Sequence, residues 1–210
     1  MINWFETLPS THKYLVGLVR EKKIDTPTLI GVDFQTDGIG SRGNSWIGEK
    51  GNLFFSFCVK EKHLPKDLNL ASTSIYFAWI MKEVLSEKGS KTWLKWPNDF
   101  YIEDKKIGGV ITTKIDEFVI SSMGINLVKA PQEFGVLDID TSPKELVGDF
   151  LKFLEKNFSW KQVFSKYKLE FERNKNYSFH VGGKRKSIAD AKLCEDGSLE
   201  LEKERVYSLR

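Results

Sequence analysis

The apolar positions along the chain change period several times, and each change marks an element. The runs Leu29-Ile30-Gly31-Val32-Asp33-Phe34-Gln35 and Leu53-Phe54-Phe55-Ser56-Phe57-Cys58-Val59 are short, apolar and rich in β-branched and aromatic residues, so they predict strands. Thr92-Trp93-Leu94-Lys95-Trp96 alternates and predicts another, stopped by Pro97, which has no N–H for a ladder. Phe100-Tyr101-Ile102 follows as a strand, Glu103-Asp104-Lys105 as a hairpin turn, and residues 107–115 as the returning strand. Helical spacing occupies the remainder. Ser10 precedes Tyr14, Leu15, Leu18 and Val19 as an N-cap would. Asp67 stands ahead of a stripe through Ala71, Ile75, Ala78, Ile80, Met81 and Leu85 and is expected to cap it, with Gly89 as its end. Two further helices are expected over 143–156 and 160–174, separated by Asn157-Phe158-Ser159. From about Tyr177 the pattern returns to period two, with turns at Gly182-Gly183 and Asp196-Gly197. A mixed α/β chain results, with a main domain over residues 1–176 and a small β domain over 177–210.

Composition narrows the class. With 210 residues, 40% hydrophobic and 13% aromatic, the chain can bury one substantial core and a small appendix. A net charge of +3 is too mild for the electrostatic footprint of a dedicated DNA binder. Two cysteines, no cationic-then-apolar leader pattern in the first nine residues, and no apolar run near ~18 residues lead to the expectation of a reduced, cytoplasmic protein off the membrane. Cys58, inside an apolar strand, reads as a small buried hydrophobe, and Lys184-Arg185-Lys186 as a solvated hairpin tip.

The chemistry concentrates in two segments. Lys95-Trp96-Pro97-Asn98-Asp99 is followed by Lys106-Ile107-Gly108-Gly109-Val110, which sets two lysines, an amide and a carboxylate beside paired glycines that let a backbone approach a ligand closely. Upstream, residues 38–43 read Gly-Ile-Gly-Ser-Arg-Gly and imitate a dinucleotide-binding fingerprint. That reading fails, because such a loop must open a helix whose N-terminus receives the pyrophosphate, and here it runs through Asn44, Trp46, Gly48 and Gly51 into a strand. A strand-to-strand glycine loop still wraps an anion with backbone N–H groups, Arg42 adds a fork-shaped cation, and Trp46 a flat apolar face. Read from the residues alone, Trp46 also suits a loop anchor and Asn126 a strand-end turn. Together the segments suit an activated acyl phosphate.

Those segments resemble the biotin protein ligases, also called biotin–acetyl-CoA-carboxylase ligases. The resemblance rests on Ser10-Thr11, on the run from Gln35 to Trp46, on Lys95 to Asp99 with Lys106 to Gly109, on Gly124-Ile125-Asn126-Leu127, and on a weaker C-terminal stretch from Ala189 to Leu201. It implies a mixed sheet flanked by helices, of the kind shared with class II aminoacyl-tRNA synthetases and biotin-lipoate ligases, plus a small C-terminal SH3-like β unit. It further implies an enzyme that activates biotin with ATP as biotinyl-5'-AMP and passes it to a lysine of the biotin carboxyl carrier domain of acetyl-CoA carboxylase.

By motif position, the resemblance puts Lys106 and Arg42 at the reacting groups. Ser10, Thr11, His12, Gln35, Gly38, Ile39, Gly40, Ser41, Lys106 and Gly109 fall around biotin. Arg42, Asn44, Trp46, Lys95, Asn98, Asp99 and Asn126 fall around ATP and the adenylate. No side-chain cage for a metal is implied; Mg²⁺ comes with the ATP phosphates, near Asp99. The loop departs from the family's arginine-rich pattern, with Ile39, Ser41 and Asn44 where arginines are common and Arg42 retained. His12 stands for a common asparagine, and Ser122-Met123 for a glycine-isoleucine pair. Because Ser10-Thr11 lies so near the start, the expectation is a ligase without the N-terminal DNA-binding domain of some relatives, monomeric or homodimeric. Lipoate or octanoate ligation, and a non-catalytic biotin-binding module, are the alternatives.

Overall fold

The computed structural model describes residues 1–41, 44–46, 48–181, 184–202 and 204–207. Strand β1 (Ile2–Leu8), helix α1 (Thr11–Arg20) and strand β2 (Thr28–Gln35) make a β-α-β unit in which β1 runs parallel to β2. The glycine segment folds into two short strands, β3 (Gly38–Ile39) and β4 (Ser45–Trp46), ahead of β5 (Leu53–Lys60). Helix α2 (Thr73–Glu87) leads to β6 (Trp93–Lys95), β7 (Asp99–Ile102), β8 (Lys105–Ile115) and β9 (Phe118–Ile125). Helices α3 (Pro143–Glu155) and α4 (Trp160–Glu170) follow. Five short strands close the described chain: β10 (Ser178–Val181), β11 (Lys184–Ser187), β12 (Lys192–Leu193), β13 (Leu199–Leu201) and β14 (Glu204–Val206).

Seven strands form the main sheet in the order β1-β2-β5-β9-β8-β7-β6, antiparallel everywhere except between β1 and β2. Its two faces are dressed differently because strand side chains alternate. On β5, Phe55 and Phe57 meet Phe77 of α2 and Phe150 of α3, with the Phe57 ring 4.9 Å from Phe77 and 5.2 Å from Phe150. The next residue, Cys58, points to the other face and joins Ile30, Phe118 and Ile120 under Leu15 and Val19 of α1. Cys58 is thus a core residue, as its strand context implied. Helix α2 is buried from Thr73 through Met81, which is why its apolar stripe spreads around most of the helix.

Three local expectations need correction. Asp67 does not cap α2, which starts behind Ser72 after a short 3₁₀ turn at Leu70–Ser72. Its carboxylate instead accepts the N–H groups of Trp160 and Lys161, each at 3.0 Å, across the fold at the start of α4. Sequence spacing sees only the nearest helix, whereas a cap needs only proximity in space. Lys184 to Lys186 are not a tip but part of β11, paired with β10; the Gly182-Gly183 turn lies outside the described residues. Strand β1 carried no clear period, since it is a largely solvent-facing edge with Ile2 60% exposed, and its pairing with β2 comes from tertiary contact. By contrast Gly89 ends α2 in the left-handed region, with φ +91°.

The C-terminal strands lock onto the main core. Phe179, Ile188, Leu199 and Val206 belong to the cluster on the α2 side of the sheet. Trp96, fully buried, donates its indole N–H to the Gly197 carbonyl at 2.9 Å, receives the Phe179 ring at 5.1 Å, and offers its backbone N–H to Asn174 Oδ1 at 2.6 Å. The Trp96–Pro97 peptide is cis. Among the described residues no helix is long and apolar enough to cross a membrane.

Candidate active site

The site lies where the glycine segment folds over the β8–β9 hairpin. It consists of a cleft of about 400 Å³ and an adjoining narrow slot that share Ile39, Gly40, Ser41, Asn98, Asp99 and Lys106. The pairing of β7 with β8 shifts register between Phe100 and Tyr101, so Phe100 faces Gly108 while Tyr101 faces Lys106. One extra residue, Ile107, switches the alternation and brings Lys106 onto the same face as Gly109. A Cβ at Gly109 would stand 3.1 Å from Asp99 Oδ1 and 3.6 Å from Lys106 Nζ, so the glycine leaves that corner open.

Asp99 is the electrostatic centre of this end. Its Oδ1 lies 2.7 Å from Lys106 Nζ and its Oδ2 3.9 Å from Lys95 Nζ, with the three side chains 19%, 26% and 12% exposed. Two cations against one carboxylate leave a net positive corner, and the partial burial keeps it from being fully screened by solvent. The Asn98 amide is tied to β8, donating to the Val110 carbonyl, while Val110 N–H donates to the Asn98 carbonyl at 2.9 Å. Asn98 therefore presents its remaining amide oxygen from a held position.

At the opposite end the site is polar and neutral. Gln35 Oε1 accepts from Thr11 N at 2.8 Å and from Thr11 Oγ1 at 3.2 Å. The Ser56 hydroxyl donates to Thr11 Oγ1 at 2.8 Å and meets Ser122 Oγ at 2.6 Å, and Ser122 Oγ meets His12 Nδ1 at 2.8 Å. Ser56 and Ser122 were not singled out as site residues. Their signal was one serine in β5 and the Ser121-Ser122 pair in β9, each within an otherwise apolar strand, which only cross-strand pairing of Ser56 with Ser122 makes interpretable. Burial holds the His12 imidazole down to about 4 from its ordinary 6.5. Between these values the unfolded chain binds a proton that the folded chain refuses, so the contribution of His12 to stability is complete above about pH 6.5 and is lost as pH falls toward 4. The urea midpoint of the native protein should drop over this window more steeply than that of His12→Phe. Parallel curves would mean that the imidazole titrates as if in water.

Trp46 forms a side wall. Its ring packs over Gly124, where a Cβ would stand 3.0 Å from the indole, and meets Phe134 edge-on at 6.3 Å, with Lys106 Nζ 6.0 Å from its centroid. Gly38 is required beneath it, because a Cβ there would approach the Trp46 carbonyl oxygen to 2.6 Å. Ser41 and Asn44 sit at the exposed rim, where Gly40 N–H donates to the Asn44 carbonyl at 2.7 Å.

Two predicted residues stand behind the wall. Ser10 is 2% exposed and caps α1 by accepting Lys13 N–H at 3.3 Å. Asn126 is 3% exposed; its side chain donates to the Gly135 carbonyl at 3.1 Å and so holds the loop that carries Phe134 against Trp46. Neither lines the cleft or the slot. Arg42 lies outside the described residues.

Among the described residues no group of three or more histidines, cysteines or carboxylates could hold a metal ion.

The mixed sheet thus carries a cationic corner around Asp99 on one side of the site and a hydroxyl-amide ladder on the other. The biotin/lipoate A/B protein ligase family matches residues 4–129, and the chain belongs to that family. It is 40% identical to the biotin acetyl coenzyme A carboxylase synthetase of Helicobacter pylori, solved with bound biotinylated ATP, over 98% of each chain with a TM-score of 0.94. A biotin protein ligase from Aquifex aeolicus in complex with biotin and ATP, 24% identical, shares the fold with a TM-score of 0.79 over 100% of this chain and 95% of that one. The bifunctional ligase/repressor BirA of Bacillus subtilis is 29% identical over 153 residues, 70% of this chain and 47% of BirA. The chain thus spans less than half the length of the curated relatives first matched.

Proposed function

We propose that the protein is an ATP-dependent biotin protein ligase. Biotin's carboxylate attacks the α-phosphorus of ATP, the bond to the β,γ-pyrophosphate breaks, and biotinyl-5'-AMP remains. The amine of an acceptor lysine then attacks the anhydride carbonyl, an amide forms and AMP leaves. The observation that carries this reading is the Lys106–Asp99 pair lining the same slot as Gln35 and Thr11, with Lys95 beside Asp99 in the adjoining cleft. The first step brings two anions together, so a fixed ammonium between carboxylate and phosphate stabilises charge that develops in the transition state. Lys106 takes that place, and Lys95 and Asn98 face the phosphates. Arg42 adds a third cation by motif position. Mg²⁺ enters as part of the nucleotide substrate, beside Asp99. Gly38, Ile39, Gly40 and Ser41 close over biotin from the glycine segment.

The acceptor in this reading is the biotin carboxyl carrier domain of acetyl-CoA carboxylase, the setting is the cytoplasm, and the active unit is a monomer or homodimer. The division at 176/177 into a catalytic part and a small β unit belongs to the same proposal, supported by the switch from helix to short strands there. A purified carrier domain incubated with the protein, biotin, ATP and Mg²⁺ should gain the mass of one biotinyl group. An unchanged mass under conditions in which an authentic ligase succeeds would reject the reading.

Lipoate or octanoate is the competing acid. Five polar side chains from Gln35 to His12 favour a ring with fixed hydrogen-bonding groups over an apolar tail. Calorimetry showing lipoate but not biotin bound would reverse that choice. The wall tryptophan gives a further expectation. Trp46→Ala should weaken ATP more than biotin, by about 1–3 kcal/mol if adenine stacks on it as bases do on other aromatic platforms. Equal losses for both ligands would make Trp46 an anchor of the glycine segment only.

A further inference from the structure

The hydroxyl ladder between Gln35 and His12 has a direction. Thr11 donates its backbone N–H to Gln35 Oε1 at 2.8 Å, which fixes how that side-chain amide is oriented, since only its oxygen accepts. The Thr11 hydroxyl donates to the same oxygen at 3.2 Å. Ser56 has one hydroxyl proton, and it goes to Thr11 Oγ1 at 2.8 Å. At 2.6 Å from Ser56, therefore, Ser122 is the donor of that pair. His12 Nδ1, 2.8 Å from Ser122 Oγ, then faces an oxygen whose proton is already engaged, so Nδ1 itself must carry the hydrogen. Burial keeps the ring neutral, and a neutral imidazole has one N–H.

We propose that the Thr11–Ser56–Ser122 hydroxyls form a directional relay that fixes His12 in its Nδ1–H tautomer, so that a bare Nε2 faces the cleft as an acceptor for an N–H of the bound ligand. His12 lines the cleft, and among the described residues its Nε2 meets Thr113 Oγ1 at 3.5 Å, the outer limit of hydrogen bonding. Gln35 Oε1 already accepts two hydrogens, and Ser10 Oγ accepts the Lys13 N–H. A cyclic urea entering here brings two N–H donors, and each left without an acceptor in a desolvated slot weakens binding. This ligand half of the inference rests on the biotin reading, whereas the relay rests on the hydrogen bonds alone. His12 thereby becomes a specificity-determining residue, because an acid without N–H groups gains nothing from a bare Nε2.

Nitrogen-15 NMR of imidazole-labelled protein reads the tautomer directly. The ligand-free protein should show His12 with Nδ1 protonated and Nε2 bare. In Ser56→Ala, which does not touch the imidazole, Ser122 is released to donate to Nδ1, and the ring proton should move to Nε2. Biotin affinity by calorimetry should then fall about tenfold in Ser56→Ala and by a similar factor in His12→Phe, the size expected for one hydrogen bond lost. The double variant should be no weaker than His12→Phe alone, because both changes remove the same acceptor. An Nε2–H tautomer in the native protein, or an unmoved tautomer in Ser56→Ala, would overturn the relay. Additive losses in the double variant would overturn the acceptor role. Native protein that shows the stated tautomer yet binds no biotin would support the relay and reject the function proposed above.

Discussion

Lys106→Ala should lower the rate of biotin-dependent ATP–pyrophosphate exchange by about 10²–10³-fold, the cost of deleting one preorganised donor aimed at developing charge. The protein should nevertheless remain folded. Lys106 stands at the start of β8 with its side chain 26% exposed, and its removal leaves Asp99 still facing Lys95 at 3.9 Å. Partly exposed ion pairs of this kind contribute about 1 kcal/mol or less, so the melting temperature should move by only a few degrees. Lys106→Arg separates charge from shape: it keeps a cation but needs more room beside Trp46, whose ring centroid lies 6.0 Å from the ammonium. It should recover part of the fold stability and little of the exchange rate. Native exchange in Lys106→Ala would remove this lysine from the mechanism.

Trp96→Ala should show the largest loss of stability, about 3–5 kcal/mol in urea unfolding. Its indole is fully buried, packs on Phe179, and closes a hydrogen bond to the Gly197 carbonyl that leaves an acceptor unsatisfied when the ring is deleted. The effect should appear first as proteolytic cleavage within residues 178–207, since Trp96 joins the C-terminal strands to the main sheet. Trp96→Phe, which keeps most of the apolar volume and loses the N–H, should cost roughly 1–2 kcal/mol. Intact protease resistance in the alanine variant would show that the C-terminal strands are held elsewhere.

The contrast between these two residues explains how far the site could be read from the chain. Lys95, Asp99 and Lys106 sit at or next to strand ends and Asn98 in the turn between β6 and β7, and each reaches the cleft, because strand ends and turns deliver side chains to a loop-lined rim. Trp96, in the middle of the same motif, is fully buried and belongs to the core. Gln35 and Thr11 were singled out and do meet, whereas Ser56 was passed over and Ser122 noted only as a departure from the family's pattern, because a serine in an apolar strand acquires meaning only from what lies across the sheet. Ser10 and Asn126 show the converse: both belong to the motifs, and both are placed behind the wall, capping a helix and holding a loop. The misplaced cap of Asp67 has the same origin, since its partners Trp160 and Lys161 are distant in sequence and adjacent in space.

Local chemistry in the chain was enough to define the strands and helices that carry the motifs, to dismiss the dinucleotide loop, and to collect the cations, amide and carboxylate that meet at Asp99. Periodicity, proline and glycine act over a few residues, so they leave a readable trace. What the tertiary structure alone decided is which face each of these residues presents. The one-residue bulge opposite Phe100 turns Lys106 toward Gly109, and the pairing of β5 with β9 lines up Ser56 and Ser122 between Thr11 and His12. The first depends on the register of a single hairpin and the second on register between strands far apart in the chain, and a shift of one residue in either would send its side chains to the other side of the sheet.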